Sequence, residues 1–261
     1  MNTYVMSDIH GCYNEFRQML DTIGFSPSDE LILAGDYIDR GNQTMEMLHW
    51  LEDRPQNVNL LKGNHEVEYA AYIDVMKMLN ANQDLRLDGT SCKDSKDLYD
   101  VTYYYTARKG IPFDGYGTIE YLIEEKGFTM VDLDKYADIF RDLPYYMERA
   151  VGGRKYIIVH AGYTEDLPVD GGYQTLEAYY LYAREEAYLT GGKPGTTIIA
   201  GHTPTVAGGM FTYTGGNVFY HYDEKTDRRF YNIDCGSVFR YRHKKGRLAC
   251  IRLEDEQIFY V

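Results

Sequence analysis

The chain has 261 residues, 44% of them apolar, a composition typical of a globular protein that buries a sizeable core and not of a disordered segment. Its formal charge of -13 argues against the broad basic face that nucleic-acid backbones require, so we expect no nucleic-acid partner. Four cysteines without a paired spacing, no signal-peptide pattern and no long apolar run predict a cytoplasmic protein without disulfides or a membrane span.

The first third of the chain is predicted to alternate between strands and helices. A strand over Thr3 to Met6 precedes a helix whose apolar residues recur at i, i+3, i+4 and i+7. Two further strands, Leu31 to Ala34 and Val58 to Leu61, flank a second helix. Because helical crossovers join these strands, we expect a parallel βαβαβ unit.

The remaining two thirds are predicted to hold a helical segment and a second set of strands. Residues 66–145 are helix-rich and contain many tyrosines, and we interpret them as an insertion over one sheet edge of a single domain that spans the chain. Strands are predicted over Tyr156 to Val159 and Thr197 to Ala200, followed by two hairpins in residues 218–233 and 248–261. We expect both hairpins to join a second, mixed or antiparallel sheet.

Polar residues cluster directly after five of the predicted strands. The clusters are SDIHG (7–11), GDYIDRG (35–41), GNHE (63–66), VHAG (159–162) and AGHTP (200–204). Open α/β sheets bind ligands at the carboxyl ends of their parallel strands. We therefore expect these clusters to form one functional site.

The clusters contain six candidate metal ligands of carboxylate, amide and imidazole type. They are Asp8, His10, Asp36, Asn64, His160 and His202. This mixture suits borderline divalent ions, and the absence of cysteine argues against a closed structural zinc site. Six ligands are too many for one ion, so we predict two ions, with Asp36 able to bridge them. Two divalent ions would exceed the charge of two carboxylates and would attract an anion.

The ordered motifs resemble those of the calcineurin-like metallophosphoesterases, specifically of the phosphoprotein phosphatase family. The forms DIHGCY and HAG resemble its bacterial and phage branch, which includes protein phosphatases and symmetrical dinucleoside tetraphosphatases. The resemblance implies an α/β fold in which two mixed β-sheets pack as a sandwich flanked by helices. It also implies two divalent metal ions, with Mn2+ expected and Fe, Zn or Co as alternatives.

The resemblance also implies a role for each motif residue. Asp8, His10 and Asp36 would bind the first ion. Asp36, Asn64, His160 and His202 would bind the second. His65 would act as general acid for the leaving oxygen, oriented by Asp39, while a hydroxide that bridges the ions attacks phosphorus in line.

Three residues are implied to bind the substrate phosphate: Arg40, Asn64 and Arg184. Arg184 belongs to YARE (182–185), where the family usually has Trp-x-Arg, so Tyr182 replaces the tryptophan. Ser7 is a second departure, because the family usually has glycine before the first aspartate. A small residue is expected to fit at position 7.

Two functions share this chemistry. The first hypothesis is a serine/threonine protein phosphatase that acts on a phosphoprotein or phosphopeptide, and the alternative is a symmetrical bis(5'-nucleosyl)-tetraphosphatase that acts on a dinucleoside polyphosphate. The metal centre does not distinguish them, so we expect the helical segment to do so, with its tyrosines as packing residues or as a wall of the substrate groove. A non-catalytic phosphate-binding protein is a third hypothesis, but it would be expected to lose ligands or the His65 and Asp39 pair. The sequence leaves the oligomeric state open.

Overall fold

Two five-stranded sheets form the centre of the computed structural model of this chain. The residues that the structure describes are 1–82, 92–110, 113, 115–168, 172–190, 192–206, 211, 214–242 and 244–261. Within them, the ten strands divide equally between the two sheets, and each sheet contains both parallel and antiparallel pairs.

The first sheet contains the predicted βαβαβ unit. Strands β1 (Thr3–Met6), β2 (Glu30–Leu33) and β3 (Val58–Leu60) pair in parallel. Helices α1 (Tyr13–Thr22) and α2 (Thr44–Glu52) form the crossovers. β1 has the predicted bounds, and β2 and β3 each end one residue before the predicted end.

The C-terminal hairpin also belongs to the first sheet, so its predicted place in the second sheet is wrong. Strand β9 (Ala249–Arg252) pairs antiparallel with β1 and with β10 (Gln257–Tyr260), which gives the order β10-β9-β1-β2-β3. Val5 of β1 lies opposite Ile251, and both side chains are fully buried. Pairing with β9 therefore covers an edge of β1 that would otherwise be open. The residue pattern predicts the hairpin but not the edge to which it binds.

The second sheet has the order β4-β5-β6-β8-β7. Its strands are β4 (Tyr146–Val151), β5 (Arg154–Val159), β6 (Thr196–Ala200), β7 (Phe219–Asp223) and β8 (Arg228–Asn232). The three central strands run parallel, and β4 and β7 pair antiparallel at the edges. β4 is not predicted from the sequence, because its side chains alternate between exposed and half-buried positions and none is fully buried.

Four helices follow β3 in the predicted insertion: α3 (Asn64–Ala81), α4 (Ser95–Lys109), α5 (Tyr116–Glu124) and α6 (Met130–Arg141). Their buried residues share one apolar core with the first sheet. Tyr69 of α3 and Phe140 of α6 pack edge to face in it, with ring centroids 5.5 Å apart. Residues 83–91, 111–112 and 114 of this segment lie outside the described residues. Its interpretation as an insertion in a single domain remains a prediction.

The two sheets pack face to face between helical layers. Val5 of β1 faces the second sheet, whereas its neighbours Tyr4 and Met6 face the helices, as alternation along a strand requires. Helices α7 (Leu176–Tyr182) and α8 (Glu186–Thr190) cover the outer face of the second sheet. These layers confirm the predicted α/β/β/α sandwich. A membrane-crossing helix, which needs greater length and apolarity, does not occur in the described part of the chain.

Candidate metal centre

The five polar clusters meet where the parallel strands of both sheets end. β1, β2 and β3 contribute the clusters from the first sheet, and β5 and β6 contribute those from the second. The six predicted metal ligands come together there and are 0% to 9% exposed: Asp8, His10, Asp36, Asn64, His160 and His202. So many buried polar groups require partners of high charge or many hydrogen bonds.

Asn64, His160 and His202 converge beside Asp36. Nε2 of His160 lies 3.0 Å from Oδ1 of Asn64 and 3.2 Å from Nδ1 of His202. The same Nε2 lies 3.4 Å from Oδ2 of Asp36. Ligand atoms that bind one ion at about 2.0–2.2 Å lie roughly 3 Å from one another, so these four side chains have the spacing of a shared ion.

A second group of ligands lies on the other side of Asp36. Oδ2 of Asp36 is 3.4 Å from Nε2 of His10, which in turn is 4.0 Å from Oδ1 of Asp8. Asp36 therefore lies between the two groups, as a bridging carboxylate would. Nε2 of His65 is 3.9 Å from the same Oδ2, so distance alone also allows His65 to bind an ion with His10 and Asp36.

Two of the predicted ligand imidazoles, those of His10 and His202, have the protonation that metal ligands need. Nδ1 of His10 lies 2.9 Å from the carbonyl oxygen of Ile38, and Nδ1 of His160 lies 2.9 Å from that of Ala34. Donation from each Nδ1–H leaves the Nε2 lone pair facing the other ligands. Burial lowers the pKa of His10 to about 3 and holds the pKa of His202 well below its ordinary value. Neutral imidazole is the metal-binding form.

The two carboxylates experience opposite environments. Burial raises the pKa of Asp8, and the charge of Asp36 adds to the rise. Burial acts in the same direction on Asp36, but the surrounding imidazoles, with His160 foremost, outweigh it and hold the pKa of Asp36 below its ordinary value. The backbone N–H of His202 donates to both carboxylate oxygens of Asp8 at 3.0 and 3.1 Å. The donor set thus fits divalent cations, which would offset the charge of both buried acids.

The backbone of these clusters is strained. Of the described non-glycine residues, eight have positive φ, and six of these belong to the clusters: Asp8, His10, Asp36, Asp39, Arg40 and His202. Each such conformation costs on the order of 1–3 kcal/mol and persists where the surrounding structure enforces it. Strain of this kind concentrates at functional sites, and here it accompanies the predicted ligands.

Ser7 fits beside the site although it replaces the expected glycine. It is buried, and the positive φ begins at the next residue, Asp8. The space is provided by Gly201, where a Cβ atom would lie 2.0 Å from Oδ2 of Asp8 and 2.3 Å from Oγ of Ser7. Glycine is therefore required at position 201 for the two sheets to approach at this point.

His65 and Asp39 form a buried pair next to the ligands. Nδ1 of His65 lies 2.5 Å from Oδ2 of Asp39, and its Nε2 has no hydrogen-bond partner among the described residues. Burial opposes a charged imidazole, but Asp36 and Asp39 outweigh it and raise the pKa of His65 to about 9. A protonated His65 with Nε2 near Asp36 can donate a proton, which is the chemistry expected of it.

The two predicted phosphate-binding arginines lie on different sides of the ligand cluster. Nη1 of Arg40 is 3.0 Å from Nε2 of His10, on the side of the first group. Nη1 of Arg184 is 3.5 Å from Oγ1 of Thr203, the residue that follows His202 in the second group. Both guanidinium groups thus reach the rim of the site, where a planar fork of donors suits a phosphoryl group.

The sequence profile of the calcineurin-like phosphoesterases matches residues 1–235. This chain belongs to that family. The phosphoesterase is 37% identical over 86 residues to a protein of Haemophilus ducreyi named bis(5'-nucleosyl)-tetraphosphatase, symmetrical. That match covers 33% of this chain and 32% of the relative, so the chain spans about a third of the length of the relative it matches.

Two solved structures show the same fold. A protein provisionally assigned as a diadenosine tetraphosphatase matches with a TM-score of 0.54 and 18% identity, covering 100% of this chain and 92% of that one. A serine/threonine phosphatase of Saccharomyces cerevisiae matches with a TM-score of 0.52 and 14% identity, covering 100% of this chain and 79% of that one. At these identities the similarity establishes the architecture of the phosphoesterase and not its substrate.

Tyrosines near the site divide between packing and exposed positions. Tyr163 and Tyr180 are buried and stack with ring centroids 5.6 Å apart, so their role is packing. Tyr182, in the position of the family's tryptophan, is 36% exposed, and its ring centroid lies 6.2 Å from that of His202. Tyr182 therefore remains at the rim of the site of the phosphoesterase.

Glu66 is a buried acid to which the sequence analysis assigns no role. Its Oε2 accepts hydrogen bonds from the backbone N–H groups of Asp36 at 2.8 Å and Gly63 at 2.9 Å, and its Oε1 accepts from Tyr37 at 2.9 Å. Burial raises the pKa of Glu66 to about 7. The side chain ties the turn that carries Asp36 to the start of α3. A glutamate three residues after a helix N-cap is the signal that predicts this contact.

Asp234 is a second buried acid without a predicted role. It follows β8 much as Asp36 follows β2, and its Oδ1 accepts from the backbone N–H of Gly236 at 2.9 Å. Burial, reinforced by the charge of Asp8, holds the pKa of Asp234 well above its ordinary value. A carboxylate two or three residues after the end of a strand is the signal that locates both residues.

Proposed function

We propose that this phosphoesterase hydrolyses dinucleoside polyphosphates. A dinucleoside tetraphosphate would react with one water molecule and be cleaved symmetrically into two nucleoside diphosphates. The main observation behind this proposal is that all six predicted metal ligands lie together around Asp36, beside the His65 and Asp39 pair. The named relatives support the choice of substrate, since the matched proteins of several bacteria bear the name of a symmetrical tetraphosphatase.

Each predicted metal ligand has a role in the proposed reaction. Asp8, His10 and Asp36 would hold one divalent ion, and Asn64, His160 and His202 would hold another together with Asp36. Such ions, with Mn2+ expected, supply Lewis-acid activation of water and neutralise phosphoryl charge. The chain's own contribution is to fix the ligand geometry and to exclude bulk solvent from the reacting groups.

Side chains would transfer the proton to the leaving group and stabilise the charge of the phosphoryl group. His65 gives the proton on Nε2 to the leaving phosphate oxygen, and Asp39 holds the ring through Nδ1. Arg40, Arg184 and Asn64 donate hydrogen bonds to the phosphoryl oxygens. The acid and the positive groups lie around one cluster, where they could act on a single phosphoryl group.

The protein phosphatase hypothesis of the sequence analysis has weaker support. Its chemistry is the same, but the resemblance to the yeast serine/threonine phosphatase is one of fold at 14% identity. The names of the matched relatives favour the nucleotide substrate over a phosphoprotein.

The test is an assay of the manganese-loaded protein on diadenosine tetraphosphate and, in parallel, on a phosphothreonine peptide, with products separated by chromatography. We expect ADP as the sole nucleotide product and little phosphate from the peptide. Formation of AMP with ATP would contradict symmetrical cleavage. Phosphate release from the peptide alone would replace the proposal with a protein phosphatase.

A further inference from the structure

A cavity of about 400 Å³ lies beside the proposed catalytic pair. One wall is the loop after β2, with Asp39, Arg40 and Asn42, which leads into Thr44 of α2. The opposite wall is α5, with Thr118 and Tyr121. We call it the α5 cavity. Its volume lies within the range of about 300–1,000 Å³ that is typical of small-molecule sites.

The α5 wall is held against the catalytic pair by close packing. A Cβ atom on Gly115, the residue before α5, would lie 2.8 Å from Oδ2 of Asp39. The helix therefore begins directly against the carboxylate that orients His65. Thr118 and Tyr121 are three residues apart and so share one face of α5, the face that lines the cavity.

The charges of the α5 cavity are confined to one end. Among the described residues that line it, Arg40 is the cation, and the carboxylate of Asp39 is paired with His65. The remaining walls carry hydroxyl, amide and aromatic groups. This arrangement suits a ligand with an anionic end at Arg40 and an uncharged, partly aromatic body.

We propose that the α5 cavity holds the nucleoside of the leaving nucleotide, with the base stacked on Tyr121 and the ribose facing the hydroxyls of Thr44 and Thr118. The inference rests on the function proposed above, because His65 can protonate the leaving oxygen only if the leaving group lies on the side of His65 and Asp39. Nζ of Lys126 lies 5.0 Å from the Tyr121 ring centroid, and the proposal assigns the base to the ring face turned away from Lys126.

The test compares two leaving groups in two matched variants. Tyr121→Leu keeps apolar volume at the half-buried position but removes the aromatic face, and Tyr104→Leu makes the same change at a residue of α4 that is 65% exposed. The measured quantity is the ratio of kcat/KM for diadenosine tetraphosphate to that for glycerol 2-phosphate, whose leaving group has no ring. We expect the ratio to fall about 10-fold in Tyr121→Leu, the effect of losing one base stack, and to stay at the wild-type value in Tyr104→Leu.

A second variant tests the same cavity in case Tyr121→Leu does not fold. Thr118→Val keeps the shape of the wall and is expected to lower the same ratio about 3-fold through loss of one hydrogen bond. Ratios at the wild-type value in both Tyr121→Leu and Thr118→Val would overturn the inference, while leaving the proposed function intact.

Inhibition by ADP separates the two proposals. ADP should inhibit glycerol 2-phosphate hydrolysis by the wild-type protein, and the inhibition constant should rise about 10-fold in Tyr121→Leu. If the wild-type protein does not cleave the dinucleotide but this rise occurs, the proposed function fails and the nucleoside site stands. If ADP inhibits both proteins equally, the nucleoside site is refuted.

Discussion

The metal centre and the α5 cavity differ in nearly every physical respect although they share Asp39 and Arg40. The centre is built from strand ends of both sheets, and its six predicted ligands are almost fully buried. The cavity is open, mostly uncharged, and takes one wall from the helical segment after β3. If both proposals hold, the reaction and the choice of leaving group are carried by different parts of the chain.

This difference predicts that substitutions in the two regions have different effects on the rate of hydrolysis. Changes in the metal centre should lower the rate with every phosphate ester, because each substrate meets the same ligands and acid. Changes in the α5 cavity should lower the rate mainly with leaving groups that fill it. The following changes test the first half of this comparison, in order of expected effect.

Asp36→Asn should have the largest effect. The amide keeps the size of the carboxylate but loses the charge between the two ligand groups, so both ions should bind weakly. If the ions supply about 5 kcal/mol of transition-state stabilisation, kcat falls roughly 10⁴-fold on every substrate. Metal analysis after dialysis and kinetics on two esters check this, with the exposed Asp53→Asn as control. Normal metal content with normal kcat would refute the bridging role.

His65→Asn should lower kcat by about 10²–10⁴-fold while metal content stays at the wild-type value, because a general acid is lost and no ligand is. The effect should be smaller for an ester with a good leaving group, which needs less protonation. Loss of one ion in this variant would instead make His65 a metal ligand, as its 3.9 Å distance from Asp36 allows.

Glu66→Gln should lower metal affinity or activity by about 10–100-fold, the usual effect of removing a group that orients metal ligands. At least one of the three backbone N–H groups now bound by Glu66 would face an amide N–H2, at a cost of roughly 1–3 kcal/mol in the free energy of unfolding. Metal titration and urea unfolding measure both effects. Glu125→Gln, an exposed change near the end of α5, is the control. A Glu66 variant as stable and active as this control would contradict the positioning role.

Arg184→Ala should have the smallest effect, a rise in KM of about 2- to 5-fold, because this arginine is exposed and solvent screens its charge. Arg40→Ala serves as the comparison and should cost more, since Arg40 contacts His10 within the cluster. Equal kinetics of Arg184→Ala and the wild-type protein on all substrates would remove Arg184 from the phosphate site.

Local sequence patterns account for much of the fold and for the grouping of the ligands. The apolar run before Asp36 predicts both the strand and the charged tip, and the same pattern holds for the strand before His160. Local patterns do not predict contacts between residues that are far apart in the sequence. The pairing of β9 with β1 depends on contacts between residues almost 250 positions apart, such as Val5 with Ile251, and hairpin periodicity does not encode them.

The contacts of Glu66 and the existence of the α5 cavity also cannot be predicted from local sequence patterns. Glu66 belongs to a predicted motif, but its three acceptor contacts require the turn after β2 to fold against the start of α3. Tyr121 is one of 27 tyrosines, and nothing in its neighbourhood along the chain marks it as different from the packing residues. The packing of Gly115 against Asp39, a contact between residues far apart in the sequence, places its helix beside the site.

The most direct test of the two-ion account is a titration of metal-free protein with Mn2+, in which bound ions are counted by native mass spectrometry while diadenosine tetraphosphate hydrolysis is followed. The account predicts that activity rises until two ions are bound per chain. Full activity with one bound ion, or hydrolysis by the metal-free protein, would contradict it.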